Sequence, residues 1–274
     1  MVTRVMQSVA LMGLTALTLT GCNRQVSRES APDLNLLATS PDPKTLSTPR
    51  PFLAAAFDAA GGLAAWQQCK KVEFHAAVTA CERDGCFYLT EHDFVLWPWS
   101  DAIQVTADEP QAHFTWQMIS GRYRTPAADP NLDVSPLKGL ERDYAEAVLQ
   151  IATAPVRMLR DNMEFTLAPA PVQVTGQWYL PINARYQSPK PTSRKEVPVE
   201  PYWTRGTYFQ SQDGSRVDMI WLGNPATQKF IIVRGYDYAT TGSDGVLMPT
   251  KIEVFQSDPD ANIGPRLALV DLGR

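Results

Sequence analysis

Thiol and imidazole groups, which ligate metals, attack carbonyls and move protons near neutral pH, are few in this 274-residue chain: four cysteines and three histidines. Cys69, Cys81 and Cys86, with His75, offer thiolate and imidazole donors. They lack the CxxC and HxxxH spacings that assemble a tetrahedral site, so no metal is expected. Cys81 and Cys86 flank Glu82-Arg83-Asp84-Gly85, a turn-like stretch between two strand-like runs. With all four residues in the loop, the thiols face each other across a hairpin and can form a disulfide. With Asp84-Gly85 as a two-residue turn, Cys86 falls opposite Arg83 and the bridge is awkward. Both registers stay open. His92 sits in Glu91-His92-Asp93, where the acidic pair either raises its pKa or simply solvates a turn. No GxSxG elbow, phosphate-binding glycine loop, GxGxxG or HExxH motif occurs. Gly242-Ser243-Asp244-Gly245 reads as a hairpin turn. Asp258-Pro259-Asp260-Ala261-Asn262 reads as an acidic turn, since it lacks the glycine and closing glutamate of an EF-hand loop. No catalytic residue and no cofactor are expected, and the chain reads as non-enzymatic.

The elements that must position these groups are mostly strands. Phe52–Ala60 has apolar residues at helical spacing and stops at Gly61-Gly62, and Leu63–Trp66 reads as a second short helix. From Val72 the period becomes two. Strands are expected at 72–79, 86–90, 93–97, 102–106 and 112–118, close enough for an antiparallel meander. Residues 136–161 interrupt them with a helix, on which Leu140, Tyr144, Val148 and Ile151 share a face and which Pro155 ends or kinks. Further strands are expected at 164–167, 172–180, 207–210, 217–222, 230–238, 251–256 and 267–272, and 187–201 reads as a surface loop. Trp97, Trp99, Trp116, Trp178, Trp203 and Trp221 lie in or beside these runs. Such rings either line a pocket or, more commonly, fill the core between a sheet and its covering helix. The fold class is α+β, mainly β: a curved antiparallel sheet, an incomplete barrel, covered by helices. With 44% hydrophobic and 20% charged residues the chain is globular. A net charge of −4 and the lack of a basic cluster argue against a nucleic-acid partner or a polybasic membrane patch.

The N-terminus adds an address. Arg4 precedes an apolar run, Val9–Leu17, that is too short to span a bilayer, and Leu19-Thr20-Gly21-Cys22 follows. This resembles a bacterial lipoprotein signal peptide, with its box of Leu, two small residues and Cys. The resemblance implies cleavage after Gly21 and a diacylglycerol thioether on Cys22. Residues 1–21 are then signal, 22–50 a Pro-, Ser- and Asp-rich lipidated tether, and 51–274 the domain. Asn23 stands where Asp is associated with inner-membrane retention in enteric bacteria. The expected address is therefore the outer rather than the inner membrane, facing the periplasm.

Three further segments carry a second resemblance: Ala59–Trp66 leading into Val72-Glu73-Phe74; Ala154-Pro155-Val156-Arg157-Met158-Leu159; and Tyr236-Asp237-Tyr238 with Gly245-Val246-Leu247-Met248-Pro249-Thr250-Lys251-Ile252. Together they resemble the outer-membrane lipoprotein carrier and receptor (LolA/LolB-like) superfamily, half-barrels plugged by helices. The resemblance implies a hydrophobic cavity between sheet and helices, and no carrier functional residue is matched to a position here. The expected function is a lipid-anchored envelope protein that binds an acyl chain or lipoprotein lipid without covalent chemistry. A structural or protein-interaction lipoprotein with an envelope protein partner is the alternative, and an envelope-polymer hydrolase a third.

Overall fold

In a computed structural model the described residues are 51–81, 87–109, 112–119, 121–124, 140–160, 162–187, 201–241 and 245–272. The expected signal segment, the tether with Cys22, Cys86, and most of the 187–201 loop lie outside them. Two short helices, α1 (Pro51–Ala59) and α2 (Leu63–Gln68), lead into strands β1 (Val72–Cys81), β2 (Phe87–Trp97), β3 (Ala102–Glu109), β4 (Ala112–Ile119) and β5 (Arg122–Arg124). Helices α3 (Glu141–Ala152) and α4 (Ala154–Arg157) follow. The chain then returns to strands: β6 (Met163–Leu167), β7 (Val172–Val174), β8 (Gln177–Tyr186), β9 (Arg205–Ser211), β10 (Val217–Asn224), β11 (Lys229–Thr241), β12 (Val246–Ser257) and β13 (Ile263–Asp271).

The thirteen strands of the described residues form one antiparallel sheet, in the order β5-β4-β3-β2-β1-β13-β12-β11-β10-β9-β8-β6, with β7 paired on β8. The first and last strands of the described residues, β1 and β13, meet in the middle and join two meanders. Helix α3 touches β3 and β4 on one limb and β10, β11 and β12 on the other, so the sheet bends around it. β5 and β6 end the path, and no ladder among the described residues closes the barrel. This is the curved, incomplete barrel that the sequence pattern implies.

The strand period explains how each face is assigned. Along β1, Val72, Ala76, Val78 and Ala80 turn to the concave face, while Glu73, His75 and Ala77 turn outward. β2 runs unbroken where two strands are expected, because Glu91-His92-Asp93 keeps the alternation and places His92 inward. The expected 172–180 strand is instead a hairpin, turned at Thr175 and Gly176, which both take positive φ. Three-residue β5 was not legible in the pattern. On β10 and β11 both faces are buried, since Tyr179, Phe209, Met219, Trp221, Phe230 and Ile232 form a second cluster outside the sheet. The turn after β12 folds over it, and Trp221 Nε1 donates to Asp258 O at 3.0 Å. Asp258 accepts from the amides of Asp260 and Asn262, so the acidic turn is a self-capped loop.

The entrance helices are set by a tight elbow. Trp66 is fully buried and its indole donates to Ala60 O at 2.9 Å, while Leu247 N donates to the same carbonyl at 3.0 Å. Gly61 has a φ of 99°, and a Cβ there would stand 2.6 Å from Gly245 O. Gly62 has a φ of 90° but nothing within 4 Å. Gly62→Ala should therefore lose about 1 kcal/mol through backbone conformation, and Gly61→Ala about 2 kcal/mol or more by adding the collision. Urea unfolding of both variants checks this, and equal losses would contradict the elbow.

Candidate functional site

Helix α3 reads in sequence as an amphipathic cover with one wet face. In the structure it is a plug: of its twelve residues, all but Arg142 are buried. Glu141 and Asp143 sit in its first turn, where the helix dipole favours anions. Thr153 ends it by donating its hydroxyl to Leu149 O at 2.6 Å, and Pro155 starts α4, where a missing amide does no harm. The apolar side of α3 meets the concave sheet face through Tyr144, Val148, Leu149 and Ile151. Its polar side is enclosed as well.

That polar side is satisfied by a buried network. Arg157 donates to Asp101 on one side and to Glu146 Oε1, 3.4 Å away, on the other. Arg160 Nη1 lies 3.3 Å from Asp101 Oδ2. Gln150 donates to Glu146 at 2.8 Å and accepts from Tyr208 at 2.9 Å, and Tyr208 and Tyr186 share a 2.9 Å hydrogen bond. Burial works to raise the Asp101 pKa, but the charges of Arg157 and Arg160 outweigh it and hold the carboxyl below its usual range. For Glu146 burial prevails and, with the Asp101 charge, raises its pKa. Burial alone would lower the pKa of Arg157, yet the two carboxylates push it upward and keep it charged. Removing one member of such a set strands a buried charge and costs about 3–5 kcal/mol. The start of α3 is clamped too. Asp143 accepts from Tyr202 and pairs with Lys229 at 3.2 Å, and Arg142 donates to Gly121 O at 2.8 Å.

Beside the apolar side of α3 lies a ring cluster around His92. The imidazole is fully buried, 5.5 Å from Trp116 and 5.7 Å from Tyr144 between ring centres, with Nδ1 at 3.3 Å from the Tyr144 hydroxyl. His92 Nε2 and Trp116 Nε1 are buried without a hydrogen-bond partner among the described residues. Burial lowers the His92 pKa to about 4, against the opposing charge of Asp93 and aided by His75. The expected acidic environment belongs to His75 instead, which meets Asp93 at 2.8 Å and Glu91 at 3.7 Å on the outer face. Strand alternation is the reason: neighbours in sequence point to opposite faces.

The cysteine expectations also meet the ladder. Cys81 pairs with Phe87 at the last position of the β1–β2 ladder. Cys86 lies outside the described residues, and the Cys81–Cys86 bridge stays an expectation. Cys69 is buried behind α2, Cys81 is half-buried at the end of β1, and His75 faces outward six residues earlier, about 20 Å along the strand. Among the described residues no group of three or more His, Cys, Asp or Glu is placed to hold a metal ion. His113 lies on β4 and its side chain is outside the described set. The tryptophans are chiefly core: Trp66, Trp116 and Trp203 are buried, while Trp178 is exposed.

Where α1, α3 and α4 meet β10–β12, a void among the described residues measures about 10 Å³, room for about one water. Sequence reading missed the buried polar set Asp101, Glu146, Gln150 and Arg157. One signal was available: Arg157 sits between Val156 and Met158 in an apolar segment, and a charge so placed is paired when buried.

No protein-family model and no curated protein matches the sequence. Among solved structures, the chain is similar in fold to a LolA superfamily protein of Nitrosomonas europaea, at 10% identity and a TM-score of 0.48, over 81% of this chain and 90% of that one. It is similar to an outer-membrane lipoprotein-sorting protein domain, described as putative, of Vibrio parahaemolyticus at 9% identity and a TM-score of 0.45, over 74% and 83%. A DUF1329 family protein of Desulfovibrio piger matches at 12% identity and a TM-score of 0.41, over 80% and 90%. At such identities the likeness is one of shape and says nothing of ligand or activity.

The His92 shift carries a pH signature. The unfolded chain takes a proton near pH 6.5 and the folded chain only near 4. Stability from this residue is thus complete above pH 6.5 and is lost as pH falls towards 4, by up to about 3 kcal/mol. Asp218, raised to about 6 mainly by burial, acts in the opposite direction. The comparison of wild type with His92→Gln isolates the term: urea unfolding at pH 7 and pH 4.5 should show a shallower decline in the variant. Parallel declines would contradict it.

Proposed function

We propose that the chain is a lipid-anchored envelope protein that binds an apolar chain, such as an acyl group or lipoprotein lipid, without covalent chemistry. The observation that carries this reading is an unclosed sheet whose apolar concave face is occupied by a separate helix. The strands hydrogen-bond to one another along the whole path, and α3 contributes nothing to the ladders. Its seating is through side chains, and much of it is polar. Buried ion pairs return little net stability over apolar packing, so α3 is held less firmly than an all-apolar helix of its size. Moving it aside would bare a trough about 18 Å long, the length of twelve helical residues. The unpartnered His92 and Trp116 nitrogens lie on the same wall. In this reading the fold is a container that is closed when empty.

The tight filling favours one other reading. With a void of about 10 Å³ where α3 and α4 meet β10–β12, the domain also suits a scaffold that holds an envelope protein and takes up no lipid. Titration with cis-parinaric acid, a fluorescent fatty acid, separates the two. Saturable one-to-one binding is expected. No binding, together with a single stable protein cross-linked from membranes, would favour the scaffold.

The anchor rests on Leu19-Thr20-Gly21-Cys22. No described helix is long and apolar enough to cross a membrane. In this reading cleavage after Gly21 exposes Cys22, and two or more acyl chains hold the protein at the membrane. Cys22→Ala in the full chain should move the protein to the soluble fraction with its circular dichroism unchanged. Retention of the folded variant on membranes would overturn the anchor.

A further inference from the structure

The outer face of the sheet holds a groove of about 1020 Å³ between β6 and the β10–β11 turn. Across its floor the ladders set Glu164, Arg185, Arg205 and Gly223 in one row over four strands. Arg185 and Arg205 are direct cross-strand partners, both exposed and both on the outer face, since Ala184 and Tyr186 turn inward to the core. Like charges directly opposite one another destabilise a sheet. On its other side Arg205 has no acidic neighbour in the row. Glu164, opposite Arg185, accepts instead from Gln187, and among the described residues neither arginine has an ion-pair partner. Gly223 adds no side chain beside Arg205; a Cβ there would strike the Trp221 ring at 2.6 Å, so the indole occupies that corner. Two residues along the strands, Thr207 donates to Asn183 Oδ1 at 3.0 Å, which fixes the amide at the groove; among the described residues its NH₂ group has no acceptor.

We infer that this groove binds a small ligand carrying a carboxylate or phosphate group. Two adjacent guanidinium forks present parallel N–H donors that match the oxygens of either group, and one oxyanion placed between them turns repulsion into two charge-assisted pairs. Asn183 supplies a neutral donor to the same ligand. The site lies on the opposite face of the sheet from α3, so its fate does not depend on what enters the interior.

Calorimetric titration with inorganic phosphate and, separately, with citrate tests the assignment, with ionic strength held constant by chloride. Saturable binding of at least one is expected, and the tighter one identifies the group. Arg185→Gln/Arg205→Gln should weaken it at least tenfold, and Arg185→Lys/Arg205→Lys, which keeps charge but loses the fork, should fall between. Without ligand at low salt, Arg205→Gln should melt no lower than wild type, because it removes a repulsion. No saturable binding of either anion, or equal binding by the double glutamine variant with its fold confirmed by circular dichroism, would overturn the site.

Discussion

Arg157 is the residue around which this fold closes. It sits at the end of α4, buried, with Asp101 from the β2–β3 corner on one side and Glu146 from α3 on the other. A guanidinium taken out of water needs such partners, because its desolvation is repaid only by well-placed opposite charge. Asp101 is available because the chain turns there with a φ of 53° after the short 3-10 turn Pro98–Ser100. Arg160 shares that carboxylate and donates towards the carbonyls of the same turn. One limb of the sheet, the turn at its edge and both central helices are thus tied at one point. The other limb joins through Gln150, which bonds Tyr208 on β9 and lies near Tyr186 on β8.

This arrangement explains why an apolar half-barrel contains a polar helix. An all-apolar plug would seal the sheet for good, with every buried methylene adding about 0.8 kcal/mol. A plug seated by ion pairs and hydrogen bonds is specific in position and modest in net affinity. Tyr144, Val148 and Ile151 provide the apolar contact, and Glu146 and Gln150 on the opposite side set the rotation of the helix. The outer face is organised differently. Over β8–β11 it is covered by the Trp221 cluster, and toward β6 it opens into a polar groove.

Much of the sheet was legible from alternation, because a strand with one wet face writes its burial into the chain with a period of two. Val72 to Ala80 is an example. The stop at Gly61-Gly62 was legible for a local reason, since only glycine takes those backbone angles without strain. The interior was less legible. Asp101 and Arg157 are 56 residues apart, and nothing local says that they meet. Helix α3 misleads because its composition describes a surface helix, and only a sheet wrapping both sides of it makes the polar face internal. His92 misleads in a similar way: its neighbours Glu91 and Asp93 are adjacent along the chain but lie across the sheet.

The proposed function requires α3 to be a displaceable plug. Amide hydrogen exchange across residues 141–157, measured with and without bound cis-parinaric acid, tests it most directly. Occupancy should speed exchange in 141–157 while β10–β12, whose ladders are independent of the helix, keep their protection. A chain that binds the fatty acid with 141–157 equally or better protected would hold its guest elsewhere and contradict the account.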